Sequence, residues 1–171
     1  MGDGSVVLII DPTELPRRAS QSRAVGTRPG IPAPAARVKE SYTVLVVDDS
    51  PSVRRVISNL IKSVGWRPVT ARDGVDALEI LHQLGTPPDL VVLDVEMPRM
   101  DGYELLGTLR GQDAYRKLPV VMVTSRAGDK HRRKAISLGA SAYVVKPYQD
   151  EALLNVIRQL VREARQPALT S

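Results

Sequence analysis

The chain has 171 residues, 43% hydrophobic and 25% charged, with a net charge of +5. This is the composition of an ordinary globular domain with an appendage, and no apolar run approaches the ~20 residues needed to cross a bilayer. The absence of cysteine excludes disulfides and thiolate-held zinc, and two histidines, His82 and His131, leave no His-rich metal site.

Residues 1–12 read as a terminal strand fragment. Gly2–Gly4 makes a turn, Val6–Ile10 is an apolar run, and Asp11–Pro12 breaks it. Five apolar residues cannot form a core alone, so this strand is expected to belong to something upstream or to lie loose. Residues 13–40 read as a linker, with Pro16, Pro29, Pro32, Pro34, five arginines and no periodic apolar face. Such a stretch buries too little apolar surface to offset its ordering entropy, and its proline-rich part is expected to be extended.

From Tyr42 the pattern alternates between strands and helices. Thr43–Val47 is a buried-type strand ending at Asp48–Asp49, and Ser50–Pro51 supplies an N-cap followed by proline at the first helical position. Val53, Val56, Ile57, Leu60, Ile61 and Val64 then recur at helical spacing until Gly65. Arg67–Ala71 is the second strand and Asp73–Leu84 the second helix, with Ala77, Leu78 and Leu81 inward. Leu90–Leu93 is the third strand, ending at Asp94, with a short helix at Tyr103–Leu109. Pro119–Val123 is the fourth strand, ending at Thr124, with a helix at Lys130–Leu138. Ala142–Val145 is the fifth strand, ending at Lys146–Pro147, and Asp150–Arg165 is a final amphipathic helix. Five strand–helix units imply an α/β fold with a parallel sheet and helices on both faces. Ligands of such sheets sit beyond the carboxyl ends of the strands.

Those carboxyl ends carry the chemistry. Asp48 and Asp49, Asp94, Thr124 and Lys146 are all expected to crowd one sheet edge. Taken singly, each has a bland reading, such as a helix cap or a solvated lysine; four strand ends that together supply five needed groups weigh against it. Clustered carboxylates repel one another, and a hard divalent cation such as Mg²⁺ relieves that conflict through oxygen ligands. Asp94 is then a candidate nucleophile for a phosphoryl group. Lys146 can neutralise charge on the transferring group, and the Thr124 hydroxyl can hydrogen-bond to it.

The motifs Val46-Val47-Asp48-Asp49-Ser50, Leu93-Asp94-Val95-Glu96-Met97-Pro98-Arg99-Met100-Asp101-Gly102, Val123-Thr124-Ser125 and Lys146-Pro147 resemble those of the response-regulator receiver family. The resemblance places a receiver at 41–167. It implies a flavodoxin-like, doubly wound five-stranded sheet of order 2-1-3-4-5 with five helices. It also implies Asp94 as the phosphoacceptor, assisted by Thr124 and Lys146, and Mg²⁺ held by Asp48, Asp49, Asp94 and the Glu96 backbone carbonyl. Thr124 and Tyr143 would be the switch pair: on phosphorylation Thr124 moves toward the phosphoryl group and Tyr143 turns inward. The face made by the fourth helix, fifth strand and fifth helix would change with them. The expected partners are a phosphohistidine domain of a histidine kinase and a downstream protein docking on that face, in a cytoplasmic setting without membrane.

Arg126, Lys130, His131, Arg132, Arg133 and Lys134 surround the fourth helix. They read as a solvated face or as a docking surface for an acidic partner. No aromatics interleave with them and the net charge is modest, so nucleic acid is not expected. Glu96 and Arg126 are expected to pair at the site mouth and slow water attack on an acyl phosphate.

Gly2–Asp11 is similar to the final strand of the CheW-like domain that ends chemotaxis-type kinases. That likeness implies the receiver of a hybrid CheA-like histidine kinase of the kind that governs twitching motility. No output domain follows within the chain, so output by protein contact or phosphoryl storage is expected. The alternatives are a stand-alone regulator, a haloacid-dehalogenase-like phosphatase and a flavin-binding module. The phosphatase needs an Asp-x-Asp pair where Asp48–Asp49 are adjacent. The flavin module needs a phosphate cradle that the loop after the first strand lacks.

Overall fold

A computed structural model describes Val6–Val7 and residues 41–165. Its elements in chain order are β1 (Val6–Val7), β2 (Thr43–Val47), α1 (Pro51–Ser63), β3 (Arg67–Ala71), α2 (Gly74–Leu84), β4 (Leu90–Asp94), α3 (Gly102–Arg110), β5 (Val120–Thr124), α4 (Asp129–Ser137), β6 (Ala142–Val145) and α5 (Asp150–Arg165). The linker at 13–40 lies outside the described residues, as does the terminal fragment apart from Val6–Val7.

The sheet order is β1-β6-β5-β4-β2-β3. The five receiver strands β2 to β6 pair in parallel in the expected 2-1-3-4-5 order. Every residue of β4 and β5 is buried, because successive side chains of a strand point to opposite faces and both faces are covered. Val91, Leu93, Val120 and Met122 enter one core with Ala77, Leu81, Leu105, Leu106, Leu109 and Ala135 of α2, α3 and α4. Leu90, Val92, Val121 and Val123 enter the other with Ile57, Ile61, Leu153 and Ile157 of α1 and α5. A continuous apolar run is thus what a two-sided strand requires.

Caps fix where the helices begin. Ser50 accepts from the Val53 amide ahead of Pro51, Asp73 accepts from the Asp76 amide, and Asp101 and Glu104 form a reciprocal capping box. The helices start and stop within a residue of the sequence expectation. Two points differ. Val56, expected on the buried side of α1, is 51% exposed, because Ile57 and Ile61 take the stripe that faces the sheet. Val6–Val7, expected upstream or loose, pairs antiparallel with Val144 and Tyr143 on the free edge of β6, where open backbone donors and acceptors are available.

Candidate functional site

The parallel register brings the strand ends together. Asp94 closes β4 opposite Val123, so Thr124 stands one step further along on the adjacent strand. Asp48 and Asp49 follow β2 directly, and Lys146 follows β6. Carboxylate oxygens of Asp48, Asp49 and Asp94 all lie within 4.8 Å of one another. Lys146 Nζ sits 3.6 Å from Asp48 Oδ2 and 3.6 Å from Asp94 Oδ1. The Lys146–Pro147 peptide bond is cis. Asp48, Asp94 and Thr124 are buried, whereas Asp49 opens to solvent.

Backbone and side-chain bonds hold these groups. The Ser50 amide donates to Asp48 Oδ1 at 2.8 Å, and Arg54 donates to the Asp48 carbonyl at 2.7 Å. The Thr124 hydroxyl oxygen accepts from the Arg126 amide at 3.1 Å, leaving its own proton available. Glu96 pairs with Arg126 across the mouth, both side chains about half exposed.

Electrostatics report strain between the carboxylates. Burial, then repulsion from Asp48 and Asp49, push Asp94 up to about 6 against the opposing pull of Lys146. Burial raises Asp48 as well. One ammonium shared between two buried carboxylates does not relieve three. The donor set is oxygen only and partly open to water, which suits a hard cation such as Mg²⁺ and not a thiophilic metal.

A model of the response regulator receiver domain matches residues 44–158. The chain belongs to that family. The sensor histidine kinase CheAY of Helicobacter pylori is 31% identical over 164 residues, covering 94% of this chain. The chain spans only 20% of that kinase's length. Protein PilG of Pseudomonas aeruginosa is 36% identical over 119 residues, which cover 70% of this chain and 87% of PilG. Among solved structures, the chemotaxis protein CheY4 of Vibrio cholerae superposes with a TM-score of 0.66 at 32% identity, over 70% of this chain and 98% of that one. As a receiver, the chain is a module of two-component signalling, and its five-stranded fold is theirs. Receivers bind Mg²⁺ at an acidic site, and this receiver has an acidic cluster in Asp48, Asp49 and Asp94. No helix among the described residues is long and apolar enough to cross a membrane.

Tyr143 lies inward, 1% exposed, with its hydroxyl donating to the Arg126 carbonyl at 2.7 Å. Its ring belongs to the core beneath α2, α3 and α4. Sequence reasoning missed Tyr103, which packs against the same core and donates to the His131 carbonyl at 3.4 Å. It also missed Arg99, at φ 64°, whose guanidinium holds the buried Asp73. A lone aromatic directly after Gly102 was the only available signal for Tyr103. An open cleft of about 710 Å³ lies beside the carboxylates, lined by Asp49, Glu96, Tyr103, Arg126, Lys130 and Lys134 among others.

Proposed function

We propose that Asp94 accepts a phosphoryl group from a phosphohistidine of a histidine kinase. The N–P bond of the donor breaks, an Oδ–P bond forms, and the imidazole leaves with the electron pair. Asp48, Asp49, Asp94 and the Glu96 backbone carbonyl would hold Mg²⁺, which when bound supplies positive charge to the phosphoryl oxygens. Lys146, already between Asp48 and Asp94, moves no proton; its ammonium offsets the added charge. The Thr124 hydroxyl donates its free proton to a phosphoryl oxygen. The observation that carries this reading is three carboxylates within 4.8 Å of one another and one ammonium 3.6 Å from two of them, all at adjacent strand ends.

Incubation with Mg²⁺ and acetyl phosphate followed by intact-mass analysis tests it. A phosphoryl-sized mass gain is expected in the wild type and none in Asp94→Asn; a gain in both would move the acceptor elsewhere.

The output is read as a protein docking on the face of α4, β6 and α5, where the added charge of about −1.5 to −2 would bias the surface. The setting is a hybrid chemosensory kinase. The CheAY match supports it, because it covers 94% of the chain while the family model stops at residues 44–158. A tether raises the receiver's effective concentration at its own kinase. A stand-alone regulator is the second reading, favoured by the 87% coverage of PilG. An open reading frame encoding a kinase upstream of Met1 separates the two.

The Glu96–Arg126 pair is expected to lengthen the phosphoryl lifetime by screening the approach of water. Glu96→Ala with Arg126→Ala should speed dephosphorylation a few-fold, and a decay equal to the wild type's would end the idea.

A further inference from the structure

Arg99 is the one residue other than glycine with a positive φ among the described residues. At φ 64° a Cβ crowds the backbone, a conformation that glycine takes freely. The arginine side chain makes a contact there that glycine could not. Its Nε donates to Asp73 Oδ2 at 2.9 Å and its Nη2 to Asp73 Oδ1 at 3.1 Å, the two-pronged pairing of guanidinium with carboxylate. Asp73 is 3% exposed, so water does little to hold its charge and the guanidinium does much.

Both sides of this pair are fastened to the rest of the receiver. Asp73 is the N-cap of α2: its Oδ1 accepts from the Asp76 amide at 2.9 Å, and Asp76 Oδ2 accepts from the Arg72 amide at 2.9 Å. Two residues earlier, the Ala71 carbonyl accepts from the Asp48 amide at 3.1 Å. Arg99 lies in the loop 95–101, between Asp94 and α3, which also carries Glu96. That loop returns on itself, the Gly102 amide donating to the Val95 carbonyl at 2.9 Å. A second contact sits beside the ion pair. The Gly74 amide donates to the Met100 carbonyl at 3.3 Å, and a Cβ at Gly74 would meet Met100 Cγ at 2.6 Å. Chain and contacts together make a ring from Asp48 through Ala71, Asp73 and Arg99 back to Asp94, and the Arg99–Asp73 pair is its clasp.

We propose that Arg99 and Asp73 are a positioning pair, whose clasp holds the loop 95–101, and with it the Glu96 carbonyl, in place for a divalent cation. The inference rests on the reading of Asp48, Asp49, Asp94 and the Glu96 carbonyl as that cation's ligands. A loop freed from the clasp is in place for only part of the time, and apparent affinity falls by that fraction.

Coulomb's law and the clasp predict different signs. Acting only as charges, Arg99 would repel Mg²⁺ and Asp73 would attract it. Arg99→Asn would then tighten Mg²⁺ binding and Asp73→Asn would weaken it, whereas loss of the clasp weakens it in both. Asparagine tolerates a positive φ and caps a helix about as well as aspartate, so both substitutions spare the local backbone. Calorimetric titration of the full chain with Mg²⁺, at about 0.15 M salt and below the melting transition, compares wild type, both single variants and the double. Each single variant should bind Mg²⁺ about threefold to tenfold more weakly, and the amides of 95–101 should exchange faster. The double variant should bind no more weakly than the weaker single, since all three have lost one contact. Unchanged or tighter binding in Arg99→Asn overturns the inference, even where its Tm falls, and leaves the pair a stabiliser of the fold. Losses that add in the double variant, or unchanged exchange of 95–101, overturn it too. A wild type that binds no Mg²⁺ fails the reading of the acidic nest, and the inference falls with it.

Discussion

Asp94→Asn is expected to make the metal-free protein more stable at neutral pH while ending phosphorylation. Asparagine keeps the shape of the side chain and removes one of three crowded charges. The acid form of Asp94 is favoured in the folded state, where its pKa rises from 3.8 to about 6. The folded protein therefore binds this proton more tightly than the unfolded chain does. Between pH 4 and pH 6, roughly, the wild type loses stability as pH rises, and above that window the loss is complete. A rise of that size corresponds to about 3 kcal/mol; relaxation around the site brings the expected gain in Asp94→Asn nearer to about 2 kcal/mol. Urea titrations in a chelator should show the two proteins converging near pH 4 and the variant ahead at pH 7. Added Mg²⁺ should then lift the wild type more than the variant, because a cation that binds the folded state stabilises it by mass action. A variant less stable than the wild type at pH 7 in chelator would show that burial and the neighbouring carboxylates do not penalise the Asp94 charge.

Much of this site was legible in the sequence because parallel α/β folds place function at strand ends. Once Thr43–Val47, Leu90–Leu93 and Pro119–Val123 are read as strands, the positions of Asp48, Asp94 and Thr124 follow from chain order. Those strands are legible because burial on both faces demands unbroken apolar runs, which β4 and β5 have. Strand β3 is a weaker case: only Ala71 of its five residues is buried, and its place came from alternation rather than from its own pattern. Ser50 and Asp101 announced their helices through cap chemistry. What stayed hidden was contact between segments distant in sequence. Tyr103 and Tyr143 are forty positions apart, and nothing local to either says that one reaches α4 and the other the loop that leads into it. The inward Tyr143 was hidden for the same reason, since its hydroxyl partner is a backbone carbonyl, and every residue carries one. Val56 was misplaced because six apolar residues at helical spacing make a stripe wider than the sheet can cover.

Gly102→Ala carries the second large expected effect, and two physical terms oppose each other in it. Gly102 is the first residue of α3, where alanine is the better helix former by about 1 kcal/mol. Propensity alone therefore predicts stabilisation. Packing predicts the reverse. A Cβ at Gly102 would sit 2.3 Å from the Asp94 carbonyl oxygen and 2.9 Å from the Val95 Cα. Both obstacles are backbone at the end of the central strand, and the Gly102 amide is itself bonded to the Val95 carbonyl at 2.9 Å. No rotamer change relieves such a clash, so either α3 or the end of β4 has to shift. Overpacking usually costs about 1–3 kcal/mol, more where backbone must move. A net loss of about 3 kcal/mol is expected, enough to lower Tm by roughly 10 °C in a domain of this size. The strand end that would shift carries Asp94, so acetyl-phosphate labelling should fall as well, even below the melting transition. Thermal melts of Gly102→Ala beside Gly107→Ala decide between the terms. Residue 107 lies in the same helix, and a methyl group added there would meet nothing within 4 Å, so propensity alone acts and the Tm of Gly107→Ala should rise. If both variants gained stability, the close approach of α3 to the Asp94 carbonyl would not exist in solution.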